Sequence, residues 1–488
     1  MHHDNLITSL KEGYILDYIS NIPVKITPEE IEAVQVFSRI IVEDYFYPKD
    51  FIQTRPQFRV RSRPSDTRNE YPVDIAIFKD SIKGEENVSI IVECKKKNRK
   101  DGIKQLQDYL KFSKAKLGVW FNGNEKLCIQ KVENNGIVDF VEITDIPKYN
   151  ESIDDIGKNR PKDLVIPHNL KTVFKVIHNH LVANATQSTR SEVIAKNLIN
   201  IIFCKIFDEK TTKKNEYLKF STLAIEDSKI VQKRIIDLFK QAKDKYRDVF
   251  DIGDIIDLDS ESIKYVVGQL QNYSLIKSQR DVIADAFETF IGYTFKGENG
   301  QFFTPRNVVK LMVEITNPQP DDKIIDPACG TGGFLLESLR HKWNILNKKS
   351  EEHDWNEDNL KEEKIACAAK SINGIEKDFF LAKVAKAYMS IMGDGKGGLF
   401  CEDSLEKPSN WEKANSYISL GSFDFVLTNP PFGKEILVTG NDKLSQYRLG
   451  HEYKKGVQQS KIKTKENPQI LFIERSIQLL KDGGFFWV

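Results

Sequence analysis

Cysteine is sparse and scattered in this sequence: six residues in 488, at Cys94, Cys128, Cys204, Cys329, Cys367 and Cys401. No two are spaced as Cys-x-x-Cys, so no zinc cluster is visible from them, and their spread fits a reducing cytoplasm. No apolar run reaches membrane-spanning length. The N-terminus, Met1-His2-His3-Asp4, lacks the basic-then-apolar pattern of a secretion signal. A soluble, cytoplasmic protein is therefore expected. The charge excess is also missing. The formal sum is +1, so the chain as a whole is not a basic nucleic-acid binder, although a near-zero sum can hide basic patches. No internal repeat or low-complexity tract is present. No segment matches GxxxxGK[ST], so an ATP-driven translocase is not encoded in these residues. Gly393-Asp394-Gly395-Lys396-Gly397-Gly398 is phosphate-friendly but does not meet that pattern.

What is there is the balance of a folded globular chain, 29% charged and 40% hydrophobic, long enough for two or three domains. Thr27-Pro28-Glu29-Glu30 opens a helix, with Pro at its first position, that runs to about Tyr45. Strand patterns follow at 57–61, 73–78 and 88–95, then a helix at 101–112 and a strand at 117–121. This predicts a mixed α/β domain over 1–146. Residues 147–168 are polar and proline-marked and read as a linker. From 169 the period changes: Leu170, Val173, Phe174, Ile177 and Leu181 make an amphipathic stripe. Helical patterns continue to about Tyr293, giving a helical domain over 169–297. In 298–488, strands at 323–326, 372–376, 398–402, 423–428 and 484–488 alternate with helical patterns, as in a Rossmann-like parallel sheet. Residues 433–467, long, polar and basic, read as a mobile loop. His178-Asn179-His180 spells HNH but sits in an amphipathic helix, where the ββα hairpin of an HNH nuclease has no place.

Two constellations carry chemistry. The first is Asp74, then Glu93-Cys94-Lys95, then Gln105 and Tyr109. On a strand, alternate side chains share a face, so Glu93 and Lys95 point together and Cys94 points away. Asp74, ending a neighbouring strand, can lie beside Glu93. Two such carboxylates suit a hard cation such as Mg²⁺, which would polarise a phosphate and acidify a water, while Lys95 orients that water. Lys96, Lys97, Arg99, Lys100 and Lys104 on one side, and Arg55, Arg59, Arg61, Arg63 and Arg68 on the other, suit a phosphate backbone. The plain alternative is a surface strand pair with a solvated lysine turn.

The second is Asp326-Pro327-Ala328-Cys329-Gly330-Thr331-Gly332-Gly333, a glycine loop between strand and helix, with Glu376 ending a later strand. After the strand at 423–428 comes Asn429-Pro430-Pro431-Phe432. The Asn amide and the first Pro carbonyl can accept hydrogen bonds from an exocyclic amine, and Phe432 offers a face to a base swung out of a duplex.

Residues 27–125 resemble the PD-(D/E)xK nucleases, in the version at the N-terminus of type I restriction subunits. The resemblance implies a catalytic core of Asp74, Glu93 and Lys95, metal ligands Asp74 and Glu93, support from Gln105 and Tyr109, and a further carboxylate from the first helix, Glu30 or Glu32. Residues from 169 onward resemble the modification subunits of type I systems, which are N6-adenine DNA methyltransferases. Gly300-Gln301-Phe302-Phe303-Thr304-Pro305-Arg306, the preceding Asp285-Ala286-Phe287-Glu288, and the order of the motifs belong to that resemblance. It implies Asn429, Pro430, Pro431 and Phe432 at the methyl acceptor. Phe303, Thr304 and Pro305 would lie against the methionine end of S-adenosylmethionine, Asp326, Gly330 and Gly332 at its amino-acid part, Glu376 at the ribose and Asp403 at the adenine. It also implies a sheet incomplete at its C-terminal edge, because this fold continues with an antiparallel hairpin past the strand at 484–488. A fragment, or a chain completed by a second polypeptide, is therefore expected.

The reading is a multidomain α/β restriction–modification protein that acts on double-stranded DNA with S-adenosylmethionine and Mg²⁺, beside a specificity subunit or a missing C-terminal domain. Its rivals are a methyltransferase whose nuclease-like part only binds DNA, a protein glutamine methyltransferase, which also carries NPP-aromatic, and a non-enzymatic anti-phage sensor.

Overall fold

The structure, a computed structural model, describes residues 11–61, 70–97, 99–134, 136–167, 170–185, 191–247, 249–250, 253–277, 304–393, 398–432 and 436–488. It divides into two compact units, Met1–Ala242 with Ile255–Thr294, and Lys243–Asp254 with Phe295–Val488.

In the first unit a hairpin, β1 (Tyr14–Leu16) and β2 (Pro23–Lys25), precedes the first helix. That helix begins at Pro28, is wound as a π-turn over Glu30–Val34, and continues as α1 (Gln35–Glu43). The Thr27 hydroxyl accepts the Glu30 N–H at 3.1 Å, as the capping pattern requires. A small ribbon pairs β4 (Arg59–Arg61) with β5 (Glu70–Pro72). The main sheet has six strands: β3 (Ile52–Gln53), β6 (Ile75–Phe78), β7 (Val88–Cys94), β8 (Leu117–Phe121), β9 (Lys126–Asn134) and β10 (Ile137–Ile143), in the order β10-β9-β8-β7-β6-β3. Only β7–β8 is parallel, because α2 (Ile103–Phe112) crosses over between them.

The central strand β7 is apolar on both sides because both are covered. Val92 and Cys94 enter a core with Phe37 and Ile41 of α1, and Ile91 enters a second core with Leu106 and Leu110 of α2. Helices α3 (Leu170–Asn184), α4 (Ser191–Thr211), α5 (Ser228–Lys245) and α6 (Ser260–Leu270) follow.

Residues 147–167 are packed rather than extended. Tyr149 N–H bonds to Tyr45 O, and Val165 exchanges backbone hydrogen bonds with Asn272 and Ser274. Beside them runs a buried polar network. Lys126 Nζ reaches Tyr45 Oη at 3.1 Å and Asp145 Oδ1 at 3.0 Å, Asn272 donates to Asp145 Oδ2 at 3.0 Å, and Tyr273 Oη donates to Asp44 at 2.9 Å.

The second unit is built on a five-stranded parallel sheet, ordered β13-β12-β11-β14-β19. Its strands are β11 (Ile324–Asp326), β12 (Ile372–Glu376), β13 (Gly398–Cys401), β14 (Phe423–Leu427) and β19 (Leu480–Trp487). Helices α7 (Arg306–Thr316), α8 (Gly333–Glu352), α9 (Glu357–Ser371), α10 (Phe379–Gly393) and α12 (Pro468–Leu479) accompany it. Alternate strand residues feed two cores: Ile324 and Leu427 into one, Ile325 and Val426 into the other. Chain order reverses between β11 and β14, so their C-terminal ends flank a topological switch point, where such sheets bind ligands.

The stretch expected as a mobile loop at 433–467 is instead structured over 436–467. It forms β15 (Val438–Thr439) with β18 (Lys465–Glu466), the short α11 (Asn441–Leu444), and a hairpin of β16 (His451–Lys454) and β17 (Val457–Ile462). It is anchored by a small apolar cluster, Leu444 and Tyr447 with Leu405, Leu471 and Phe472, and by the buried Arg475 guanidinium, which donates to Tyr447 Oη, Glu406 O and Gln446 Oε1. His178 lies buried inside α3, and among the described residues no helix is long and apolar enough to cross a membrane.

Candidate functional site

In the first unit Ile75 pairs with Val92, which sets Asp74 opposite Glu93 at the strand ends. Both lie on the face covered by α2, and Cys94 lies on the other, as the alternation requires. Asp74 accepts the Cys94 N–H at 2.7 Å and the Gln57 amide at 3.3 Å. Lys95 Nζ is ion-paired with Glu93 and stands 3.5 Å from Gln105 Oε1. Gln105 in turn donates to Tyr109 Oη, which donates to Pro72 O at 3.2 Å. All five expected residues are thus brought together. Burial pushes the Asp74 carboxyl up to about 6 despite the Cys94 N–H. Burial, with the Asp74 charge beside it, pushes Glu93 up to about 7.

The first helix also brings a third acidic residue into electrostatic reach. Glu29 accepts the Lys96 N–H at 3.2 Å, and its charge is felt by Asp74, Glu93 and Lys95. Glu30 instead turns toward Arg55 and Gln35, at 2.6 and 2.8 Å, and Glu32 is exposed. The π-turn that starts at Glu30 is wider than an α-turn, so α-helical spacing does not give the direction of these side chains.

Gly102 was also missed by sequence reasoning. It caps α2 at φ +102°, and a Cβ there would stand 2.6 Å from Lys95 Cε. Its position just before an amphipathic helix was the available signal.

In the second unit the loop 327–332 leaves β11 with Gly330 and Gly332 at φ +54° and +85°. The Gly330 N–H donates to Glu376 Oε2 at 2.7 Å, and Glu376 Oε1 accepts the Asp378 N–H at 2.8 Å. The ends of β11 and β12 are thereby tied together. Asp326 is buried, accepts the Ala328 N–H at 3.0 Å, and is pushed by burial up to about 7. At the end of β14, Asn429 Nδ2 donates to Thr304 Oγ1 at 3.0 Å. Pro430 is buried, Pro305 is exposed, and Phe432 keeps 37% of its surface exposed. Asp403 is held by Lys443 at 2.8 Å and Lys377 at 3.1 Å, and despite its burial these cations bring its carboxyl below the usual range. Phe303 and residues 285–288 and 394–397 lie outside the described residues.

With that geometry in hand, residues 278–486 match the family model described as N-6 DNA Methylase. The chain is 29% identical over 175 residues to the type I restriction enzyme EcoEI methylase subunit of Escherichia coli. The C-terminal region is homologous to type I methylase subunits. Residues 28–147, in turn, match the type I restriction enzyme R protein N terminus, so a nuclease-like N-terminus is fused to the methylase region. The EcoEI alignment covers 35% of this chain and 32% of that subunit. The type II restriction enzyme and methyltransferase RM.BcgI of Heyndrickxia coagulans is 24% identical over 233 residues, which is 46% of this chain and 30% of that protein. The chain thus aligns with about a third of the length of these relatives. A modification subunit of a putative type I restriction enzyme from Vibrio vulnificus YJ016 is similar at 17% identity and TM-score 0.40, over 64% of this chain and 67% of that one.

The raised carboxyls of the nuclease-like region have a stability consequence. A carboxyl whose folded pKa is about 6 stabilises the fold below its unfolded value near 4, and that stability is lost as pH rises through about 6. Asp74→Asn removes the charge but keeps an acceptor for Cys94. In metal-free buffer it is expected to raise stability at pH 8 by about 1–3 kcal/mol and to change little at pH 4. Thermal melts at the two pH values check this. A lower melting temperature for the variant at pH 8 contradicts it.

Proposed function

We propose that the protein is a fused restriction–modification enzyme. Its methylase region transfers methyl from S-adenosylmethionine to adenine N6 in DNA, and its N-terminal region cleaves DNA with Mg²⁺. The observation that carries the first half is the Asn429–Thr304 hydrogen bond. It joins the Asn-Pro-Pro-Phe turn to the Phe-Thr-Pro segment, at a switch point whose other side is the glycine loop.

The residues fit the cofactor. Gly330 has open space where a Cβ would stand, and the acidic pair Asp326 and Glu376 ends neighbouring strands. Asp326 and the glycine loop would hold the amino-acid part, Glu376 the ribose hydroxyls, and Asp403 the adenine once Lys377 or Lys443 yields. The bound cofactor supplies an electrophilic methyl on sulfonium. The chain's part is positioning. Thr304 fixes the Asn429 amide through its NH₂ group, which leaves Oδ1 to accept from the adenine amine. The Pro430 carbonyl is the second acceptor, and the exposed ring of Phe432 is a platform for the flipped base. The amine attacks directly, so no covalent enzyme intermediate is required.

In the N-terminal region, Asp74 and Glu93 would hold Mg²⁺. Their raised protonation fits a paired site that a cation would relieve. When bound, the metal would polarise the scissile phosphate and acidify a water. Lys95 is placed to orient that water, with Gln105 and Tyr109 fixing Lys95 from α2.

The test is transfer of tritiated methyl to DNA, with digestion to identify N6-methyladenine, on the chain alone and with a candidate specificity subunit. Phe432→Ala should weaken binding of DNA containing an abasic site or mismatch opposite the target adenine by about 1–3 kcal/mol. Methyl incorporated into protein glutamine and not into DNA would refute the reading.

A further inference from the structure

The structured insert at 436–467 has a fixed root and a free tip. Val438 and Ile462 pack with Leu405, Leu444 and Tyr447, and Ala328 of the glycine loop joins the same cluster. Lys443 of α11 holds Asp403, which follows β13, at 2.8 Å. The Arg448 and Leu449 N–H groups donate to the Glu474 carboxylate of α12 at 2.6 and 2.8 Å. The root therefore stands where β11 and β13 end, on the side of the sheet where Asn429 follows β14.

From this root runs the hairpin of β16 and β17. The Lys463 N–H closes its base on Gly450 O at 2.9 Å. At the other end Lys454 pairs with Val457 across a turn of Lys455 and Gly456, at φ +51° and +80°. Two positive φ values let two residues join strands of the usual twist. Residues 453–458 are all exposed. Charge is concentrated on this ribbon. Residues 451–465 hold five lysines and a single carboxylate, Glu452, in a chain whose formal sum is +1. Glu452 takes Lys461 at 2.6 Å, and Lys463 is ion-paired with Glu466. Lys454, Lys455 and Lys465 are exposed and in no ion pair among the described residues. Neighbouring unpaired ammonium groups repel each other, and a polyanion laid against them removes the repulsion. A two-stranded ribbon is also narrow enough for the major groove of a duplex.

We propose that the ribbon of β16 and β17 is a DNA-contacting arm of the methylase region, with Lys454 and Lys455 at its tip neutralising backbone phosphates of the duplex that carries the target adenine. The proposal rests on the methylase reading given above, since duplex DNA is the partner it names. The insert then has two tasks. Its root braces the ends of β11 and β13 through Ala328, Leu405 and Asp403. Its tip grips the duplex from which a base is swung toward Phe432, without reading sequence.

The experiment uses the full chain in EDTA, so that duplex is bound without being cut. The probe is a fluorescent mixed-sequence duplex, titrated by anisotropy over a series of salt concentrations. Lys454→Ala with Lys455→Ala should weaken binding for any sequence and flatten the plot of log affinity against log salt by about 1.8, from about 0.9 per lost phosphate contact. Lys454→Arg with Lys455→Arg should keep the parent slope, because charge and reach are kept. Unchanged affinity and slope in the double-alanine chain overturn the proposal and leave a solvated hairpin. So does weaker binding with an unchanged slope, which would mean a structural effect of the substitutions, and so does a parent chain with no affinity for duplex. The methylase reading fails separately, on tritium transfer by the same preparations. A flattened slope with no N6-methyladenine from the parent, alone or with a specificity subunit, keeps the arm and refutes that reading.

Discussion

Asn429→Ala should lower methyl transfer by about 10²-fold or more, with S-adenosylmethionine still bound at close to the parent affinity. The expectation comes from where the amide sits. It is fixed by Thr304 at 3.0 Å, at the end of β14, whereas the glycine loop and Glu376 belong to the ends of β11 and β12. Loss of the amide removes an acceptor for the adenine amine and leaves the loop, Asp326 and Glu376 untouched. The drop should therefore appear in kcat, and calorimetry should give a cofactor Kd within a few-fold of the parent. A Kd raised as much as kcat falls would move Asn429 from the base to the cofactor.

Cleavage should respond in the opposite compartment. Asp74→Ala or Lys95→Ala should reduce Mg²⁺-dependent cutting by at least about 10²-fold, while methyl transfer stays at the parent rate. Asp74 and Glu93 form one buried pair with Lys95, and that pair lies in a different compact unit from Asn429. Plasmid relaxation and tritium transfer on the same preparations check both halves at once. Parental cutting by both variants would leave the N-terminal region as a DNA-binding module only.

Much of this was legible because its cause is local. The strand at 75–78 is an unbroken apolar run, and those at 88–94 and 117–121 are mostly apolar, as strands covered on both faces are. The partition of Glu93 and Lys95 from Cys94 follows from the two-residue period alone. What stayed hidden depends on contacts distant in sequence or on irregular backbone. The hairpin of β9 and β10 was not called, although Asn135-Gly136 between two alternating stretches was a usable signal. The directions of Glu29, Glu30 and Glu32 could not be read from the sequence, because the first turn of the helix does not wind with the α period. Residues 436–467 looked unstructured because their few apolar residues, Val438, Leu444, Tyr447 and Ile462, are widely spaced and pack on distant Leu405, Leu471 and Phe472, beside the buried Arg475, so they leave no regular period.

The network of Tyr45, Lys126, Asp145 and Asn272 bears on how such a chain can be rearranged. Severing the polypeptide after residue 146 would leave Asp145 without the Asn272 amide and Asp44 without the Tyr273 hydroxyl. Each is a buried acceptor whose lost partner costs about 1–3 kcal/mol. Transfer of this N-terminal region to another chain is therefore easiest when the segment carrying Asn272 and Tyr273 goes with the sheet. The unit of recombination would be the sheet with its helices, and a graft cut at the polar stretch after residue 146 would begin its history already destabilised.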